Sequence, residues 1–81
     1  MSIERGDIVR LATATINVDF SLKFKIVDSE DMIEHSAIGL KTGLVLHNHH
    51  SDTTEMYLPS YLTVAFGDTV IIAYKDYFEK V

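Results

Sequence analysis

The sequence predicts a mainly β domain: five or six short strands forming a small barrel or a strongly twisted antiparallel sheet, with one short helical turn near residues 30–36. Three observations predict it. Apolar and polar residues alternate from Ile16 to Ile26. Runs rich in β-branched and aromatic residues recur at 8–11, 61–66 and 69–74, and clusters of Gly, Asp, Ser and Asn separate them.

The elements follow in order along the chain. Gly6-Asp7 reads as a turn into a strand beginning at Ile8-Val9, and Thr13 and Thr15 favour its continuation. From Ile16, residues Val18, Phe20, Leu22, Phe24 and Ile26 alternate with Asn17, Asp19, Ser21, Lys23 and Lys25, so the spacing predicts one long half-buried strand. Residues 8–26 hold no Gly or Pro and read as two strands bent near 14–17, or as one bulged strand.

Asp28-Ser29-Glu30-Asp31 is a polar break. Asp31 followed by Glu34 has the spacing of a capping box for the helical turn. A hairpin is expected around residues 42 and 43, leading into Leu44-Val45-Leu46. The stretch 47–54 reads as a second polar break, Met56–Leu58 as a strand, and Pro59 as its end. Tyr61–Phe66, a Gly67-Asp68 turn and Thr69–Tyr74 form the second strong β region. Residues 75–81 read as a strand tail or one helical turn.

This pattern suits a barrel of the SH3-like or OB-like kind. The Gly-Asp-x-Val strand entry, present as Gly6–Val9 and again as Gly67–Val70, resembles that of many small barrels, KOW-type modules included. Gly and Asp serve any turn-then-strand start, so the two copies do not amount to a repeat.

Composition narrows the function classes. With 81 residues the chain reads as one domain, 1–81, with a stability on the order of 5 kcal/mol. Absence of cysteine removes disulfides, thiolate zinc sites and cysteine nucleophiles. Charged residues at 4, 5, 7 and 10 do not fit a secretory signal, and no apolar run approaches the length that spans a bilayer, so a cytoplasmic protein without membrane contact is expected. Twelve acidic against seven basic residues give a net charge of −5, which opposes direct nucleic-acid binding. No P-loop, dinucleotide fingerprint or nucleophile elbow occurs, and the expectation is a non-enzyme that needs no cofactor.

Three constellations carry binding chemistry. Asp28, Glu30, Asp31 and Glu34 put four carboxylates close in sequence and suit a basic protein surface. Tyr57 and Tyr61 flank Pro59 and are the expected exposed aromatic pair. His47, His49 and His50 lie together, and alternation places His47 and His49 on one side of an extended segment. They are weak metal-ligand candidates, with Asp52, Glu34 or His35 needed to complete a set.

The expected function is a protein-binding module, or a small accessory or inhibitor protein of the kind phages carry, docking on a protein partner. Self-association fits the same surface chemistry. The alternatives are an acidic mimic that blocks a nucleic-acid enzyme, and a metal- or pH-responsive domain using the His47–His50 segment.

Overall fold

The computed structural model describes residues 3–49 and 60–81. Its elements are β1 (Ile8–Leu11), α1 (Thr13–Ile16), β2 (Lys23–Ile26), β3 (Met32–Glu34), α2 (His35–Ile38), β4 (Thr42–His49), β5 (Tyr61–Phe66), β6 (Thr69–Tyr74) and β7 (Phe78–Lys80), with a 3-10 turn at Lys75–Tyr77. The fold is mainly β. All seven described strands form one antiparallel sheet in the order β3-β2-β6-β5-β4-β1-β7.

The sheet is not closed into a barrel, and it has more strands than the five or six expected. It curls instead. Phe24 of β2 stacks on Phe78 of the far edge strand β7, with ring centroids 6.4 Å apart, and meets Tyr77 edge-on at 5.4 Å. Side chains rather than a backbone ladder bridge the two margins. The backbone at that margin is engaged elsewhere: the Tyr77 carbonyl accepts from Ala12 N–H at 2.9 Å and from Thr15 Oγ1 at 3.0 Å.

The core fills the inner face. Val9, Leu11, Val45, Leu62, Val64 and Ile71 are fully buried, and Phe24, Ile38, Phe66 and Phe78 join them. Gly43 of β4 belongs to this packing. A Cβ there would stand 2.7 Å from Val64 Cγ1 and 2.9 Å from both the Ala65 carbonyl oxygen and Phe66 Cε1, so only glycine lets the strand approach this closely.

The long strand expected over Ile16–Ile26 is confined to Lys23–Ile26. The topology explains this. β1 lies beside one edge and β2 beside the other, so the chain between them must cross the open side of the curl. An eleven-residue strand could not turn there, and its neighbour β6 pairs only with Lys25 and Ile26. Residues 13–16 coil into α1 instead. Thr15, expected in a strand, is buried in that turn because its hydroxyl reaches Tyr77. Asn17, Asp19 and Ser21 are residues that favour turns, and Phe20, placed inward by the alternation, is 61% exposed.

The return crossing, from β3 to β4, carries α2. The helical turn expected at 30–36 therefore sits at His35–Ile38, and Met32–Glu34 is strand. The Asp31–Glu34 capping box does not form: Glu34 is the residue preceding the turn and makes no side-chain cap, while Asp31 N–H donates to Ser29 Oγ at 3.0 Å. No hairpin exists at 42–43, where β4 runs continuously from Thr42. The polar break expected from residue 47 begins later, since His47, Asn48 and His49 are paired with β5. The expected strand at 56–58 and the break at Pro59 lie outside the described residues.

The expectations for residues 61–74 and for the tail hold. β5 and β6 form a hairpin whose Gly67-Asp68 turn has φ 61° at Gly67, as a II′ turn requires. Both tail alternatives occur, the 3-10 turn and then β7. Among the described residues no helix is long and apolar enough to cross a membrane.

Candidate interaction surface

Cross-strand neighbours share a face, so the register sorts every strand residue inward or outward. Val45, Val64, Ile71 and Ile26 align as an inner row. The adjoining outer row reads Ile8, Leu44, Ala65, Val70. The next outer row reads His47, Thr63, Ile72, Lys25, Met32. A third holds His49, Tyr61 and Tyr74.

The first outer row is wholly apolar and carries no charge. A bulge extends it. Val45 pairs with Val64 and His47 with Thr63, leaving Leu46 without its own partner. Two successive residues, Leu46 and His47, therefore face outward. Ile8, Leu44 and Leu46 are each more than two-fifths exposed, and Met32 more than half. The helical turns cannot cover this face, because Ile38 and Thr15 pack on the inner side. An antiparallel sheet with one wet face normally alternates apolar-in and polar-out. Here the outer face is apolar too along the row Ile8–Leu44–Ala65–Val70.

Charge lies around this band. Lys25 and Lys23 project on the same outer face from β2, and neither takes part in an ion pair among the described residues. On the β1 side Arg10 Nε meets Glu79 Oε1 at 2.8 Å. Asp7 binds Lys80 at 3.3 Å and accepts the Glu4 backbone N–H at 2.8 Å. That backbone hydrogen bond, with help from Lys80, holds the Asp7 carboxyl below its usual range.

The expected acidic cluster divides. Asp28, Glu30 and Asp31 form the tip between β2 and β3, where Asp28 adopts φ 60°. Glu34 lies at the other end of β3, roughly 10 Å from Asp31 along the strand, and accepts from Ser21 and Ser36 hydroxyls at 3.0 and 3.5 Å. The four carboxylates are not one patch.

Tyr61 lies at the margin of the outer face and stacks on Tyr74, centroids 4.6 Å apart. The neighbouring Tyr74 phenol, and then desolvation, push the Tyr61 phenol above its ordinary value. Tyr57 lies outside the described residues, so Tyr74 is the aromatic partner that the structure supplies. Sequence alternation over 69–74 carried that signal, since it sends Tyr74 to the face opposite Ile71 and Ala73.

His47 and His49 do face the same side, with rings 4.3 Å apart at 72°. His49 Nε2 stands 2.7 Å from Thr63 Oγ1, a hydrogen bond whose direction follows the ring tautomer. Desolvation, and then the neighbouring His47, lower the His49 pKa. The expected completing ligands do not join them. Glu34 and His35 belong to the β3 edge, with β2, β6 and β5 intervening before β4, while His50 and Asp52 lie outside the described residues. His35 instead ties α2 to the residues preceding β2. Its backbone N–H donates to Leu22 O at 2.8 Å, and its Nδ1 lies 3.3 Å from the Leu22 N–H. Among the described residues no three His, Cys, Asp or Glu side chains converge on a metal position.

No family model, curated protein or solved structure matches this chain. The reading of its function rests on the surface itself.

Proposed function

We propose that this chain is a non-catalytic protein-binding module, acting in the cytoplasm, that docks through the outer face of its sheet. The supporting observation is the uncharged row Ile8–Leu44–Ala65–Val70, widened by Leu46 and Ile72, in which Ile8, Leu44 and Leu46 are exposed and Ala65, Val70 and Ile72 are half-buried. Contiguous apolar patches of a few hundred Å² on small proteins are commonly functional. Stacked Tyr61 and Tyr74 add rigid aromatic area beside the row, and Lys23, Lys25 and the acidic tip supply a polar rim. The docking surface is thus centred on β4–β6, with Asp28, Glu30 and Asp31 as flanking contacts.

The test compares wild type with Leu44→Asp/Ile72→Asp in affinity capture from the native host, followed by mass spectrometry. The variant should keep its fold, because both side chains point away from the core. Loss of the captured protein with unchanged circular dichroism is the expected result. Equal capture by the variant would remove this face from the function.

A further inference from the structure

We infer that the outer face is a contact between two copies of this chain, related by a two-fold axis that crosses the strands at the level of Ile26 and Ile71. This rests on the docking reading and names its occupant.

Register and charge point to the second copy. Ile26 pairs with Ile71 on the inner face, and at this level the outer rows Ile8–Leu44–Ala65–Val70 and Thr63–Ile72–Lys25 lie on either side. A two-fold axis between the rows lays each on the other. Val70 of one copy meets Ile72 of the other, Ala65 meets Thr63, and Leu44 meets His47 with Leu46 beside it. Charge enters the contacting rows only at their β2 end, where Lys25 lies.

The flanks are complementary under the same operation. Lys25 and Lys23 precede Ile26 by one and three positions, with Glu34 opposite Lys23 on β3. Asp28 follows Ile26 by two and Glu30 lies beside it in the tip, while Asp31 is level with Ile26, whose backbone N–H donates to the Asp31 carbonyl at 3.2 Å. The axis exchanges these two sides. Each copy's lysines then approach the acidic tip of the other, twice per dimer, as an isologous interface requires. Val27 N–H donates to Val70 O at 2.9 Å, which ties the base of the tip to the sheet and limits how far it can lean away. The lysines lack ion-pair partners among the described residues of their own copy.

The patch sets the expected strength. Its exposed apolar area is on the order of 500 Å² per copy, below the ~800 Å² of a standard stable interface, so the dimer should dissociate in the micromolar range.

Sedimentation velocity over a concentration series tests the proposal. Wild type should show a reversible monomer–dimer equilibrium, and Leu44→Asp should weaken it at least ~10-fold while circular dichroism stays unchanged. A charge exchange supplies the second arm and does not depend on tolerance at Leu44. Lys23→Glu/Lys25→Glu and Glu30→Lys should each associate more weakly alone and recover when mixed, because mixing restores the contact between lysines and tip. Asp28 is left unaltered for its backbone conformation. Wild type that stays monomeric throughout, association unchanged by Leu44→Asp, or no recovery on mixing would each overturn the dimer. A monomeric wild type whose captured partner is lost in Leu44→Asp/Ile72→Asp would overturn the self-contact alone and leave the docking reading standing. Equal capture by that variant would overturn both.

Discussion

On the inner side of β4, β5 and β6, Val45, Val64 and Ile71 are sealed from solvent. Directly behind them Leu44, Ala65 and Val70 form an equally apolar row, with Leu44 still 41% exposed. The two rows are made of the same kinds of side chain on the same strands. They differ in what covers them. The inner row packs into one core with Phe24, Phe66, Phe78 and Ile38 of α2, whereas in the outer row Leu44 stays exposed and Ala65 and Val70 are half-buried. The difference teaches that one face is committed to holding the fold and the other remains available for contact.

The largest break in that comparison is Leu62→Ala. Deleting a fully buried side chain should cost about 2–5 kcal/mol, a large share of a stability on the order of 5 kcal/mol. Urea denaturation should show a markedly lower midpoint. Leu44→Ala, on the same sheet but facing outward, should cost under about 1 kcal/mol. Similar losses for the two would erase the distinction between the faces.

Gly43→Ala comes next. Its added methyl would press on Val64, Phe66 and the Ala65 carbonyl, and overpacking of this kind should cost about 1–3 kcal/mol. Thermal denaturation should show the loss without any change in the exposure of the outer row. Thr15→Val is smaller. It removes one hydrogen bond to the Tyr77 carbonyl, which keeps the Ala12 donor, and should cost about 1 kcal/mol.

The smallest effect is the pH response of the outer margin. His49 titrates below its ordinary value of 6.5 in the folded chain, so the unfolded chain takes up the proton first as pH falls. The His49 contribution is therefore intact above about pH 6.5 and declines as pH drops from there through the folded value. Proton-detected titration of the His49 ring should show the lowered midpoint, and His47→Ala should raise it by removing one of the two causes.

The β5–β6 hairpin was legible from the sequence because local and tertiary demands agree there. Alternation, β-branched residues and a Gly-Asp turn all specify the same element, and Tyr61, Thr63 and Ala65 alternate with buried Leu62, Val64 and Phe66 as read. Residues 16–22 show the opposite case. Their alternation is as regular, yet no strand is available to pair with them and the route from β1 to β2 requires a crossing. Periodicity reports which residues could share a face, not whether a ladder exists to receive them. Thr15 fails for a related reason, since a contact with Tyr77, distant in sequence, outweighs a weak local preference.

The candidate surface was only partly legible. Tyr61 and the tip residues Asp28, Glu30 and Asp31 were visible as polar or aromatic features, and the facing of His47 and His49 followed from spacing. The apolar row was hidden because Ile8-Val9, Leu44-Val45 and Val70-Ile71 are pairs of apolar neighbours, and a single strand does not tell which member of each faces outward. Their shared outward direction appears only once the cross-strand register is known, and the outward turn of Leu46 only once the bulge is placed. Glu34 was misgrouped because closeness in sequence hid an intervening extended strand.

The most direct measurement is a methyl-resolved NMR dilution series that follows both rows in one sample. Contact through the outer face predicts that Ile8, Leu44, Leu46, Val70 and Ile72 methyl signals shift with concentration while those of Val45, Leu62, Val64 and Ile71 stay fixed. Outer-row signals that hold their positions across the series, or inner-row signals that move equally, would contradict it.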